Sequence, residues 1–467
     1  MFLNYQKVPK PVYFILAAKF MEIYCSNGIS AILVVYLNKN LNLDESTSTS
    51  IYHMNEVLSF LFPLFGAIIA ESYYGLFKTI TAMCLVTFIS NAIVAGSTLW
   101  SVNNFILSIS LFCLSIIFAS LGSIRSNLVT FGADQYQGEF INLKIYFSLQ
   151  MFVVKIGSLI GRITTPIFRE DFKCFNVNSC YFLAFGVPAL AILFGFLIMM
   201  IGRKFFICKQ PTGNLFVKTC HSIFYALKFK IKNKNRSKSH WMNYAEDKFG
   251  RDHVDATKTV LETLLIILPT AIYWAVFMQQ GSRWIFQAMR MNGNLGFMTL
   301  KPDQMIAMNS VFSILLLPIC TQICFPLLDK IGLKSLLHRI AIGGFLCCIS
   351  FIMAAFVEIY IQKNFISMLW LIPQFAILAL SENFVYISLI EFAYSETPDG
   401  MKSIMTSVVF LIIALGNLFI TVISGLKLFE TQVYEYLFFA CILFVDMIIF
   451  IVLSNNYNSN KIMITRL

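Results

Sequence analysis

Several ionisable residues of this chain lie inside long apolar runs. His53 and Glu56 stand three residues apart in the run from Ser48 to Lys78, and Lys19 and Glu22 repeat that spacing in an earlier run. Arg125, Lys155, Asn309, Glu382 and Glu391 each interrupt a further apolar stretch. A charge at the centre of a bilayer costs ~2.5–3.5 kcal/mol on insertion scales, so such groups face a protein interior or a watery path. Residues three apart share a helix face, so Lys19 and Glu22 can neutralise each other. A carboxylate or imidazole in a dry setting can hold a proton and release it when a cation or substrate engages it. That is chemistry of coupling, not of bond making. Glu22, His53, Glu56, Glu382 and Glu391 are the candidates, with Glu22 and His53 foremost. The sequence holds no H-E-x-x-H, His/Asp or catalytic serine constellation, so an enzyme is not expected. It also lacks a filter-type pore-loop repeat, which argues against a channel.

The elements that must position these groups are membrane helices. The chain is 58% hydrophobic and 13% charged, with a mean hydropathy of +0.74, far more apolar surface than a soluble core of this size requires. About twelve segments reach the ~20 apolar residues needed to span a bilayer. They lie near 12–38, 48–72, 77–100, 104–127, 143–168 and 181–202, then near 257–279, 305–328, 335–358, 364–392, 402–425 and 432–455. Their lack of strand-like alternation excludes a barrel, so an all-α polytopic membrane protein is expected. The first segment reads as a retained helix, since it begins late and no small-residue cleavage site follows.

The net charge of +11 does not point to nucleic acid, because most of the excess sits in one insert from Arg203 to Arg251. Its run Lys228-Phe-Lys-Ile-Lys-Asn-Lys-Asn-Arg-Ser-Lys238 reads as a cytoplasmic flank under the positive-inside rule, with anionic lipid headgroups as neighbours. Lys7, Lys10, Lys78, Lys330, Lys334, Arg339, Lys402 and Lys461 fall on the same side, which makes both termini cytoplasmic. The insert divides the chain into an N-terminal six-helix bundle (1–202), a basic linker (203–256) and a C-terminal six-helix bundle (257–467). That is the layout of the major facilitator architecture, whose substrate site lies between the halves. The cysteines form no C-x-x-C pair and no metal site. Cys174 and Cys180 share an external loop, where a structural disulfide is one of two open states.

Five blocks carry a resemblance. Gly66-Ala-Ile-Ile-Ala-Glu71-Ser-Tyr-Tyr-Gly75-Leu-Phe-Lys78 forms a charged, glycine-hinged helix exit; Phe131-Gly-Ala-Asp134-Gln135 precedes Gly157-Ser-Leu. Trp274-Ala-Val-Phe-Met-Gln279-Gln280-Gly-Ser-Arg-Trp284, Lys301-Pro-Asp-Gln304 with Asn309, and Ser381-Glu382 with Glu391-Phe-Ala-Tyr394-Ser complete the set. In this order and spacing they resemble the proton-dependent oligopeptide transporter family of the major facilitator superfamily, most of all its animal-type members. The resemblance implies that Gly66, Glu71, Gly75 and Lys78 form a gating loop and that His53 assists coupling. It implies further that Glu382, helped by Asn309, receives the peptide ammonium, and that Arg125 stands where a lysine faces the peptide carboxylate. Trp274 matches an aromatic of the side-chain pocket, although an ordinary packing tryptophan is an equal reading. The large external domain of the animal-type members after the ninth helix is missing, since few residues separate Glu358 from Phe365.

The departures from that pattern concern charge. The family's first-helix E-x-x-E-R reads Lys19-Phe-Met-Glu22-Ile23 here, so only the second glutamate remains. Lys155 replaces an asparagine that assists the ammonium end and is expected to repel an ammonium. Glu56 is unfamiliar, Met278 replaces an aspartate, and Glu262 and Thr321 stand where the family has a bridging Arg–Asp pair. One reading is that charge has been moved about the same cavity and still pairs both ends of a peptide. The other is a non-peptide anion: a carboxylate, nitrate or phosphorylated metabolite. The favoured expectation is a proton-coupled importer of di- and tripeptides or similar small amphoteric solutes, working by alternating access. It acts as a monomer in the plasma membrane with no cofactor beyond the proton gradient. An anion carrier, an uncoupled facilitator and a non-transporting nutrient sensor are the alternatives.

Overall fold

The computed structural model describes residues 9–136, 140–174, 179–211, 213, 215–232, 240–296, 298–398 and 401–466. The first half holds α1 (Lys10–Val35), α2 (Glu45–Ile69), α3 (Leu76–Ser97), α4 (Asn104–Asp134), α5 (Phe140–Glu170) and α6 (Tyr181–Gly202). The linker contributes α7 (Leu215–Lys232) and the single turn α8 (Glu246–Phe249). The second half holds α9 (Arg251–Ile267), α10 (Thr270–Met278), α11 (Arg283–Met289), α12 (Ile306–Ile319), α13 (Phe325–Lys330), α14 (Leu336–Ile361), α15 (Ile372–Ser395), α16 (Lys402–Gly425) and α17 (Gln432–Arg466). Among the described residues the only strand-like pairings are isolated bridges, Asn292 with Ser367 and Asn294 with Thr299.

Among the described residues, eleven helical segments are long and apolar enough to cross a membrane, and the bent pair α9 with α10–α11 makes twelve. The expected seventh span, 257–279, is therefore not one straight helix. It bends by 53° at Leu268 and Pro269, because a proline gives no backbone donor and its ring crowds the turn before it. Elsewhere the ends follow local chemistry. Asp44 caps α2 by accepting from the Thr47 amide at 3.1 Å, and Asn103 caps α4 by accepting from the Ile106 amide at 2.8 Å. Gly75, at φ +82°, makes the left-handed turn that separates the end of the second span from α3.

Each half has its own apolar core. In the first, α1 lies on α5 and α6, α3 on α4 and α6, and α2 on α4. Ile29, Ile32, Leu114, Phe118, Phe185 and Met199 lie in that core. In the second, α14 packs on α15 and α17, and α10 on α16, around Trp284, Phe351, Phe375, Tyr436 and Phe439. The halves meet along two helix pairs, α2 with α16 and α5 with α12. The linker forms a small separate cluster of Ala226, Met242, Ala245 and Val254 beside α9. Lys7, the 233–238 part of the basic run, and the side chains of Lys402 and Lys461 lie outside the described residues. Cys174 and Cys180 are joined as a disulfide in the loop before α6.

Candidate functional site

Most of the mid-span ionisable groups gather at the seam between the halves. On α1, the fully buried Glu22 accepts from Lys19 Nζ at 2.7 Å. Arg125 of α4 brings its Nε to 3.6 Å from the other Glu22 oxygen. Its guanidinium also donates to Ser26 Oγ at 2.9 Å and lies 5.6 Å from the Phe60 ring centroid. Glu22 is thus held by two cations of its own bundle. Glu56, also buried, accepts from Ser30 Oγ at 2.9 Å, and Ser30 shares a 3.2 Å hydrogen bond with the Tyr52 hydroxyl. Among the described residues no cation lies within ion-pair distance of Glu56.

His53 crosses the seam. Its Nδ1 donates to Asn417 Oδ1 of α16 at 2.8 Å, and its Nε2 lies 2.9 Å from Ser282 Oγ. The serine hydroxyl donates to a neutral ring and accepts from an imidazolium, so both protonation states can be bonded there. Behind Ser282, Gly281 presses on Tyr52: a Cβ added to Gly281 would overlap the tyrosine hydroxyl. Only a glycine permits that approach.

On the other side of the seam, Glu382 of α15 accepts from Asn309 Nδ2 at 3.0 Å and faces Lys155 Nζ at 3.8 Å. Lys155 also donates to Ser313 Oγ at 3.2 Å. Lys155, expected to repel an ammonium, faces the carboxylate expected to receive one. Lys155 and Glu382 are 33% and 19% exposed, so this pair borders open space between the bundles. Trp274 is buried against Tyr273, Phe277 and Tyr386, with its indole N–H lacking a partner.

Arg162 escaped the sequence reading. It lies on α5 seven residues after Lys155 and seven before Arg169, a spacing that keeps all three near one helix face. Each reaches the second half. Lys155 meets Ser313, Arg162 donates to Ser310 Oγ at 2.8 Å, and Arg169 grips Asp303 through Nε at 2.8 Å and Nη2 at 3.1 Å. The heptad spacing was visible in the sequence; the partners, ordered oppositely along the second half, were not. Asn417 and Ser282 were missed too, since neither carries charge.

The remaining candidates lie elsewhere. Gly66 packs on Ser123 of α4, while Glu71, Gly75 and the exposed Lys78 stand at the linker end. Glu71 and Gly75 line a cleft there with Asp134 and Lys209, which form an ion pair at 2.5 Å. Glu391, Glu262 and Thr321 are exposed, and the Thr321 hydroxyl bonds only within its own helix. Met278 packs against the second core.

The seam is tied at the end away from the linker. Besides Arg169–Asp303, Lys301 meets Asp171 at 2.7 Å, Arg290 meets Glu45 at 3.5 Å, Gln432 donates to Glu45 at 2.8 Å and Lys427 meets Asp44 at 3.1 Å. Between described side chains, no ion pair joins the two halves at the linker end. The seam thus presents a guanidinium on the first half, Arg125, and a carboxylate on the second, Glu382.

Comparison with known proteins places this geometry. Residues 77–436 match the model described as the POT family. Human solute carrier family 15 member 2 is 34% identical over 362 residues, covering 76% of this chain and 50% of the relative. Peptide transporter family 1 of Drosophila melanogaster is 33% identical over 358 residues, covering 76% and 48%. The chain thus spans about half the length of the curated relatives it matches. The crystal structure of the POT family transporter PepTSo matches 97% of this chain and 99% of its own, at TM-score 0.83 and 20% identity. The fold is therefore the expected one: an all-α major facilitator architecture of two six-helix bundles.

Proposed function

The chain belongs to the POT family, and from that premise we propose that it is a transporter, not an enzyme, carrying di- and tripeptides across a membrane by alternating access with a proton. The observation that carries this reading is Glu382 at the seam, bonded by Asn309 at 3.0 Å and faced by Lys155 at 3.8 Å. A peptide ammonium replaces Lys155 there, exchanging one cation for another on the same carboxylate. The peptide carboxylate takes the Arg125 guanidinium, whose looser 3.6 Å contact with Glu22 can be given up because Lys19 still holds that acid. Glu22 and His53 carry the proton, and Glu56 offers a second acid near them. Bonds across the seam at the end away from the linker then break as those at the linker end form.

The two bundles and the basic linker follow the extents 1–202, 203–256 and 257–467. The linker and both termini face the cytoplasm, by the excess of positive charge on that side. The protein works as a monomer in the plasma membrane, among lipids, without nucleic acid or cofactor. A second reading, an anionic non-peptide substrate, draws support from the cations along α5.

Uptake of a labelled dipeptide into proteoliposomes, with and without an inward proton gradient, tests the proposal. Gradient-stimulated uptake competed by other di- and tripeptides is the expected result. Saturable uptake indifferent to the gradient would remove the coupling. Binding without uptake would make the protein a sensor, and no peptide response at all would leave the anion carrier.

A further inference from the structure

We propose that Arg162 and Lys155 form a second anion subsite in the seam, and that the preferred peptides carry an acidic side chain. This deepens the peptide reading and rests on it. The three cations of α5 are not equivalent. Arg169 is matched by Asp303, and Lys155 faces Glu382. Arg162, the middle rung, has no carboxylate within ion-pair distance among the described residues. Its one hydrogen bond runs to the neutral Ser310 hydroxyl, and its Nε is buried without an acceptor.

A guanidinium bonded by one serine retains donors arranged for a carboxylate. Leaving it unmatched between two bundles is costly unless a ligand supplies the missing charge. The balance of the ionisable groups near the seam points the same way. Four cations (Lys19, Arg125, Lys155 and Arg162) face three carboxylates (Glu22, Glu56 and Glu382). A neutral zwitterion leaves that excess in place, and one extra carboxylate cancels it. Lys155 and Arg162 share a face of α5, so when a peptide ammonium takes Glu382 the released Lys155 is free to join Arg162 on the side-chain carboxylate.

The test is counterflow uptake of labelled Ala-Ala in proteoliposomes, competed with unlabelled Ala-Glu, Ala-Gln and Ala-Lys. Glutamate and glutamine side chains match in size, so their ratio isolates charge. Ala-Glu should compete about tenfold better than Ala-Gln, and Ala-Lys worse than both. Arg162→Gln should bring the Glu-to-Gln ratio to about one, while Arg162→Lys keeps part of it. Equal competition by Ala-Glu and Ala-Gln in the unaltered protein overturns the subsite and leaves peptide transport standing. A preference that survives in Arg162→Gln also overturns it. If no dipeptide competes, the peptide reading falls and the subsite's substrate class with it.

Discussion

Two ion pairs leave the same face of α5 for the opposite bundle, and they differ in kind. Arg169 holds Asp303 through two nitrogens, at 2.8 and 3.1 Å, with the side chains 5% and 0% exposed. Lys155 stands 3.8 Å from Glu382 with both groups partly exposed. A buried, bidentate pair is hard to break, because the partner left behind is an uncompensated charge. A loose, half-wet pair costs little to exchange. The first fastens one state of the seam; the second can give way to a substrate. The alternating access proposed above needs both, since a seam fastened everywhere would not open and one fastened nowhere would not select.

The largest expected effect comes from removing one member of the tight pair. Arg169→Met, which strands the fully buried Asp303, should destabilise the protein by ~3–5 kcal/mol, read as a lowered melting temperature in detergent. The reverse truncation costs less, because Arg169 keeps Glu170 at 2.6 Å. Replacing both members, Arg169→Met with Asp303→Leu, should recover most of that loss. If single and double variants melt alike, the contrast between the two pairs is not one of buried charge.

Glu22 sharpens the comparison from within one bundle, since its cations do not cross the seam. Glu22→Gln should abolish gradient-driven uptake and leave counterflow exchange intact. Equal loss of both would remove Glu22 from the proton path. At the loose pair, Lys155→Gln should change stability by no more than ~1 kcal/mol. Its mark should be kinetic: a several-fold lower KM for an uncharged dipeptide, because Glu382 no longer has a resident competitor. An unchanged or raised KM would mean that Lys155 does not compete for that carboxylate.

The smallest effect belongs to Asp44, which meets Lys427 at the end away from the linker at 3.1 Å. The Thr47 hydroxyl bonded to its carboxylate holds its pKa at about 2, below the ordinary 3.8. The stabilisation is present above the ordinary value and is lost only as pH falls through about 2. Asp44→Asn should therefore leave the pH profile of uptake between pH 5 and 8 unchanged. A shifted profile would place proton sensing at that contact instead of in the seam.

Much of the fold was legible because lipid imposes a coarse rule: long apolar runs must be helices. The i,i+3 pairing of Lys19 with Glu22 was legible for a similar reason, as one helix settles it. What depended on two helices was not. Pro269 was visible, but whether it would kink, end or merely cap a span depends on its neighbours. The charge of Lys155 was visible, but its orientation toward Glu382 is set by how α5 lies on α12. Arg162 was overlooked among apolar residues, although its seven-residue distance from Lys155 and from Arg169 was there to be counted.

The bare backbone at Gly281, against the Tyr52 hydroxyl, sets a clearance. At this contact between the halves, Gly281 has no side chain to yield against the Tyr52 hydroxyl. Any atom added there works as a shim. In a carrier of the kind proposed, it would hold the two halves ajar by its own thickness, and a valve that never quite seats becomes a leak.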